Sequence, residues 1–134
     1  MATLESAIYT RLAGYAGLAA LVGARIYPNL LPQNSTLPAV RYARVAATRV
    51  SAMGADPGNA MARFQIDAWA ATYDQARAVA AQVRLALQRW RQASAPKIED
   101  TFFVNEIETV EPGAGDQKTF HRVALDFEIH HVDE

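Results

Sequence analysis

Cysteine is absent from this chain of 134 residues, and neither sign of charge dominates it. Without cysteine there is no disulfide framework, no thiolate nucleophile and no cysteine-ligated zinc, which fits a protein made in a reducing cytoplasm. Thirteen basic and fourteen acidic residues give a formal net charge of −1. No global positive field therefore draws the chain onto nucleic acid or anionic membranes.

Long apolar runs are also missing. No stretch approaches the roughly eighteen apolar residues that a membrane span needs. The first five residues lack the basic segment and apolar run of a signal peptide. We therefore expect a soluble protein with no membrane partner. The length is that of one domain, so we expect a single domain over residues 1–134 with one compact core.

Two short helices are predicted at the start. The first follows a candidate N-cap at Thr3 and has apolar residues at helical spacing. These residues are Leu4, Ile8, Leu12 and Tyr15. A second apolar cluster stops at Gly23, a typical C-terminal residue of helices. Residues 27–38 contain three prolines and are predicted to form an irregular loop.

Alternating apolar residues predict two paired strands, residues 39–50 and residues 63–69. The segment between them, residues 51–61, is too long for a tight hairpin and carries Gly54, Pro57 and Gly58. It is expected to form a projecting, mobile loop.

The next helix has the clearest sequence pattern. Thr72 and Gln75 have the spacing of a capping box, and an apolar stripe follows at steps of three or four residues. The stripe consists of Tyr73, Ala76, Ala80, Val83, Leu87 and Trp90. It predicts that Trp90 lies in the core and that the helix ends near Gln92, before Pro96.

A closing hairpin is predicted from residues 102–111, a turn at residues 112–116 and an alternating strand over residues 122–130. We expect Phe103 opposite Phe127 and Ile107 opposite Val123 on one face. The same register places Glu108 opposite Arg122 on the other face.

The predicted fold is α+β, in the order α-β-β-α-β-β. An antiparallel sheet of about four strands packs two main helices on one face.

No residue is predicted to be catalytic, cofactor-binding or metal-binding. His130 and His131 are adjacent on a strand, so they point to opposite faces and cannot chelate one ion from the same side. No phosphate-binding loop or nucleophile elbow is present. Four acids could divide acid and base work, although a solvated sheet face accounts for them better. They are Glu106, Glu108, Asp126 and Glu128.

Trp69 is the most informative aromatic residue outside the predicted core. It falls on the polar phase of its strand, on the face away from the helices, where an interface would use a large aromatic side chain. With the loop before it, this gives four candidate subunit or tail contacts. They are Met53, Asp56, Asn59 and Trp69.

The chain resembles the tail-completion proteins of tailed bacteriophages. The resemblance lies in the first helix, in residues 20–28, in the Leu37-Pro38 entry to the first strand, in residues 64–73 and in residues 121–129. It implies an α+β subunit of a ring, commonly of six copies, that ends the tail tube and joins it to the head connector. No enzyme activity and no cofactor are implied.

The implied partners are other copies of the chain, the tail tube protein and the head connector or head-completion protein. DNA is expected only as passing cargo. The implied location is the head-tail junction of the virion, after assembly in the host cytoplasm. The alternative left open is a monomeric or dimeric, non-catalytic ligand-binding domain, and an enzyme that uses the four acids ranks third. A pocket that gathers the acids would favour the enzyme, whereas a flat sheet face with unpaired edges would favour the ring.

Overall fold

A computed structural model describes residues 3–32, 36–49, 53–54, 58–111 and 119–132. The predicted α+β class is confirmed, although the sheet is mixed and has five strands, and three helices pack with it. The helices are α1 (Leu4–Ala13), α2 (Ala16–Val22) and α3 (Tyr73–Leu87). The strands are β1 (Ile26–Pro28), β2 (Ala39–Arg49), β3 (Asn59–Ala70), β4 (Ile98–Glu111) and β5 (Phe120–Val132).

The strand order across the sheet is β1-β2-β3-β5-β4. β1 pairs parallel to β2, whereas the other three pairings are antiparallel. The prediction of a purely antiparallel sheet of four strands was therefore wrong. The missed strand lies where the prolines predicted an irregular loop, and Pro28 is tolerated there because β1 is a short edge strand.

The core lies between the helices and one face of the sheet. Alternate residues of β3 point into it, among them Ala62, Phe64 and Ile66, as the period of two requires. The predicted stripe of α3 is buried at Ala76, Ala80, Val83 and Leu87. All three helices contribute residues to this one cluster, which leaves the opposite face of the sheet without a helical cover.

Two short helices form at the start as predicted, although Tyr15, which its spacing placed in the first helix, is the N-cap of α2. Thr3 caps α1, because its Oγ1 accepts a hydrogen bond from the Ser6 N–H at 3.1 Å while the Ser6 Oγ accepts one from the Thr3 N–H at 3.1 Å. α2 ends at Gly23, whose φ of +58° suits a residue without a side chain. Arg11 then links α1 to α3 by donating to the Ala86 carbonyl at 2.8 Å.

α3 ends earlier than predicted, at Leu87. Gln88 is already extended and Arg89 has a φ of +61°, so the chain turns out of the helix. The Arg89 N–H donates to the Thr101 carbonyl on β4 at 2.7 Å, a tertiary bond that replaces the next helical turn. Trp90 is buried as predicted, but it enters the core from the segment after the helix.

The register of the closing hairpin is partly as predicted. Phe103 lies opposite Phe127, with ring centroids 5.5 Å apart. The register then shifts between Phe103 and Asn105, so Ile107 lies opposite Ala124 and Glu108 lies opposite Val123. The two remaining predicted pairs were wrong because this bulge moves every later residue of β4 to the other face.

The loop predicted over residues 51–61 is shorter than expected, because β3 begins at Asn59. Residues 50–52 and 55–57, including Asp56, lie outside the described residues, and so does the turn predicted at residues 112–116.

Candidate interaction site

Trp69 lies on the sheet face that no helix covers, as its phase in the strand predicts. It is half-buried on β3, with Ala39 of β2 on one side and Arg122 of β5 on the other. The Arg122 guanidinium lies over the indole ring, 5.5 Å from its centroid, which is within the range of a cation–π contact. The Trp69 Nε1 is buried and meets no hydrogen-bond acceptor among the described residues.

Beside Trp69 is a buried carboxylate that the sequence analysis did not single out. Asp67 is only 1% exposed, and its Oδ2 contacts Arg41 Nη2 at 2.6 Å and Arg122 Nη2 at 3.2 Å. The Arg41 Nε also donates to Oδ2, at 2.8 Å, and Gln65 donates to Oδ1 at 3.0 Å. One acid thus holds two arginines from the strands on either side. A buried charge needs this kind of compensation.

The segment after β1 completes the surroundings of Trp69. The Asn29 carbonyl accepts a hydrogen bond from Arg41 Nη1 at 2.9 Å, and Leu30 next to it is 78% exposed. Together with Leu31, these residues and the Asp67 cluster line an open cleft of about 460 Å³. We call this cleft and the side chains of Arg41, Asp67, Trp69 and Arg122 the tryptophan patch.

The other predicted contacts lie elsewhere. Met53 is fully exposed, and Asp56 lies outside the described residues. Asn59 begins β3, ten positions before Trp69, which at about 3.3 Å per residue is roughly 33 Å away. Its Nδ2 donates to Glu99 Oε1 at 3.1 Å. Asn59 and Trp69 thus lie at opposite ends of β3 and do not form a single cluster.

The four acids divide between the two faces of the sheet. After the bulge, Glu106 and Glu108 face the helices, where both contact Arg77 Nη1 at 3.0 Å. Asp126 and Glu128 lie opposite Gln65 and Arg63 of β3, on the uncovered face. None of the clefts described among these residues is lined by Glu106, Glu108, Asp126 or Glu128.

Ion pairs at the ends of the sheet perturb two pKa values. The hydrogen bond and nearby charge of Glu106 raise the pKa of Arg77 against the opposing effect of its burial. Burial alone would raise the pKa of Asp100, but the hydrogen bond from the Thr101 N–H and the charges of Arg91 and Arg89 lower it below its usual value. Both groups therefore remain charged near neutral pH, in pairs that stabilise the structure.

The two histidines point to opposite faces, as predicted from their adjacency. His131 is 1% exposed, whereas His130 packs edge-on against Phe102 with centroids 5.3 Å apart. In the part of the chain that the structure describes, no three histidines or acids gather in a way that could hold a metal ion. Within the same ranges, no helix has the length and hydropathy needed to cross a membrane.

Two strands expose apolar residues along the borders of the sheet. Val104, Ile107 and Val110 on β4 are 43%, 53% and 57% exposed, and Val45 on β2 is 51% exposed. Branched apolar side chains that are this accessible on a border strand are typical of surfaces that meet another chain.

These features define a structural subunit with an uncovered sheet face and exposed borders. The family described as "Tail completion protein gp17" matches residues 6–131. The chain therefore belongs to this family, and the resemblance inferred from the sequence is confirmed. Membership makes the chain a structural, virion-associated tail protein of the bacteriophage type.

One solved structure, described as the virion of a native gene transfer agent (GTA) particle, contains a chain with the same fold. The two chains share 23% sequence identity, and their TM-score is 0.75. The match covers 96% of this chain and 94% of the other. No curated protein matches the sequence.

Proposed function

We propose that this protein forms a ring that ends the tail tube and joins it to the head connector. The observation that carries the proposal is the match of the tail-completion family to residues 6–131, which spans every described helix and strand except the first two residues of α1 and the last residue of β5. A subunit of a ring needs two different contact surfaces, one for each neighbour. The uncovered sheet face and its borders are suitable surfaces of this kind.

The tryptophan patch is the proposed contact on the uncovered face. A half-buried indole flanked by two arginines has the composition that protein interfaces favour, since tryptophan and arginine are enriched at their energetic centres. Asp67 fixes both guanidinium groups in place before binding, so little side-chain freedom remains to be lost. Asn59, at the other end of β3, and Met53 remain proposed contacts with a tail or head protein as the partner. Asp56 remains a contact proposed from the sequence alone.

The proposed partners are other copies of this chain, six in all as the family resemblance implies, together with the tail tube protein and a head connector or head-completion protein. DNA passes through the ring as cargo. A formal net charge of −1 agrees with this role, because a protein that grips DNA carries an excess of basic residues. The proposed location is the head-tail junction, reached by assembly in the host cytoplasm.

A tube-capping assay tests the proposal. Purified protein added to polymerising tail tube protein should give tubes that stop lengthening and carry one ring at the end. Phage that lack the protein should accumulate unjoined heads with aberrant or overlong tails. Electron microscopy reads both results. Normal tails joined to full heads in the complete absence of the protein would overturn the assignment.

Trp69→Glu tests the tryptophan patch, with Trp69→Phe as the matched control. The glutamate can pair with Arg122, so the subunit should remain folded. The contact, however, loses the apolar indole surface and gains a charge that must be desolvated on binding. We expect Trp69→Glu to reproduce the loss of joined tails and Trp69→Phe to retain most activity. Equal activity of both variants would show that the patch is not a contact.

The alternative is a non-catalytic ligand-binding domain, monomeric or dimeric. The cleft beside Trp69 favours it, since two arginines there could meet an anionic ligand. The cleft is open to solvent, however, whereas small-molecule sites enclose most of their ligand. A folded protein that neither caps tubes nor joins heads to tails would make this alternative the better one.

A further inference from the structure

The tryptophan patch carries more positive charge than its one acid balances. Arg41 and Arg122 both contact the same oxygen of Asp67, at 2.6 and 3.2 Å, so two cations share one carboxylate. In the part of the chain that the structure describes, no other acid forms an ion pair with either arginine. The open cleft of the patch therefore attracts a partner that brings negative charge to it.

Residues 104–111, which we call the β4 border, have the opposite excess. Every residue of this segment is exposed, and three of the eight are acids. Glu106 and Glu108 share a single cation, Arg77. Glu111 contacts no basic side chain among the described residues. Three acids against one arginine leave the β4 border negative.

The register of the sheet sets the patch and the β4 border at the same level along the strands. Trp69 pairs with Arg122 and Arg122 pairs with Thr109, so one row of the sheet runs from the patch to β4. The next row consists of Arg41, Asp67, Ala124 and Ile107. Thr109 and Ile107 share the phase of the uncovered face, because the acids that alternate with them face the helices.

Apolar side chains accompany the charges on both surfaces. Leu30 is 78% exposed and lines the same cleft as the half-buried Trp69. On the β4 border, Ile107 and Val110 are 53% and 57% exposed. Each surface thus offers apolar groups beside charges, and the charges of the two surfaces are opposite in sign. Interfaces are built in this way, with an apolar centre and a polar rim.

We propose that the β4 border of one subunit packs against the tryptophan patch of the next. The occupant of the patch is therefore a second copy of this chain, whose acids meet the two arginines and whose Ile107 meets Leu30. The inference rests on the proposed ring and specifies its subunit contact. It is a head-to-tail contact, because the two surfaces that meet are different.

A side-by-side arrangement of subunits permits this contact. β1 and β4 are the end strands of the sheet, and the residues after β1 line the patch. A second copy displaced along the sheet, with its helices on the same side, brings its β4 to the β1 end of the first copy at the level of the patch. β1 has only three residues and includes Pro28, which cannot donate to a ladder. We therefore expect a contact made by side chains rather than a sheet that continues from copy to copy.

Charge reversal tests the contact. Asn29→Asp with Leu30→Glu makes the patch acidic, and Thr109→Lys with Glu111→Lys makes the β4 border basic; all four side chains are exposed, so the fold should be retained. Each variant alone should associate at least about tenfold more weakly than the unchanged protein. An equimolar mixture should recover, because the two altered surfaces match each other and the two unchanged surfaces still match. Ala78→Lys, on the exposed side of α3, is the control for added charge.

Sedimentation velocity with and without tail tubes measures association, and circular dichroism verifies folding. If the unchanged protein assembles and caps tubes while either folded variant does so equally well, the contact between patch and border is overturned and the ring stands. If the folded variants fail alone and also fail when mixed, this particular pairing is overturned. If the unchanged protein neither self-associates nor binds tube ends, the proposed function itself is overturned, and this contact with it.

Cross-linking tests the same contact with its charges unchanged. Because the chain has no cysteine, Leu30→Cys in one protein and Ile107→Cys in another give each copy a single thiol. When the two proteins are mixed, a short bis-maleimide can join position 30 to position 107 only between copies. Mass spectrometry should find this link in assemblies, and far less of it when Ala78→Cys replaces Ile107→Cys. A demonstrated assembly without the link would contradict the proposal.

Discussion

Replacing Asp67 by alanine should destabilise the subunit more than any other change on the uncovered face. The carboxylate is 1% exposed and accepts hydrogen bonds or ion pairs from Arg41, Arg122 and Gln65. Its removal leaves two guanidinium groups that contacted the same oxygen, now without the charge that held them together. Breaking a buried pair costs about 3–5 kcal/mol. The arginines are 19% and 25% exposed and can regain some hydration, so we expect about 2–4 kcal/mol.

Urea denaturation measures this loss. With a slope of about 1–3 kcal/mol per molar urea, the midpoint should fall by roughly 1–2 M while the slope stays unchanged. Glu128→Gln is the matched control on the same face, because its side chain is 33% exposed and its His130 contact is long, at 3.8 Å. It should cost under about 0.5 kcal/mol.

A double variant tests the reasoning further. In the Asp67→Ala background, Arg122→Met removes one of the two unmatched cations, so it should cost less than it does in the unchanged protein, by about 1–3 kcal/mol. A loss under about 1 kcal/mol for Asp67→Ala alone would refute the argument. It would mean that the desolvation of the carboxylate cancels what its partners contribute.

Three further changes test other parts of the fold. Phe127→Ala should destabilise by about 3–5 kcal/mol in a denaturant titration, since the ring is fully buried in the core, and a cost near zero would contradict its placement. Thr72→Ala should cost about 1 kcal/mol and lower helix content by circular dichroism, because the Thr72 Oγ1 accepts from the Gln75 N–H at 3.2 Å, whereas Thr72→Ser should retain the cap. Asp100→Asn should destabilise more at pH 7 than at about pH 3. Folding lowers the pKa of Asp100, so its stabilising contribution is present above the unfolded value of about 3.9 and is lost as the pH falls toward and through the folded value. An equal loss at both pH values in urea titrations would contradict this.

Local sequence patterns were sufficient to predict the structure where a residue acts through its neighbours in the chain. The caps at Thr3 and Thr72 and the end of α2 at Gly23 follow from spacing alone. The end of α3 did not, because the bond that stops the helix joins Arg89 to a carbonyl of β4. Tertiary contacts of this kind override helical propensity.

The closing hairpin also combines a feature that local sequence predicts with one that it does not. Alternation placed Phe103 opposite Phe127 correctly, but the bulge that follows has no local marker in the sequence. The parallel strand β1 was missed for a related reason, since its three residues gain their structure only from pairing with β2.

Only part of the tryptophan patch could be predicted from the sequence. The phase of β3 indicates that Trp69 lies away from the helices, and Asp67 shares that phase. Its role depends on two arginines that are 26 positions before it and 55 positions after it, and they meet it only through the register of three strands. Without that register, an acid two residues from a tryptophan is indistinguishable from an ordinary surface charge.

The five acids of β4 also limit the symmetry of any assembly made through that strand. A two-fold pair through β4 would set acid against acid, which is repulsive. A head-to-tail pair escapes this repulsion but leaves one contact surface of each kind open, so two copies never saturate the contact. Growth then ends only when the last copy meets the first. A substitution that changed the angle between neighbours would give open filaments in place of closed particles.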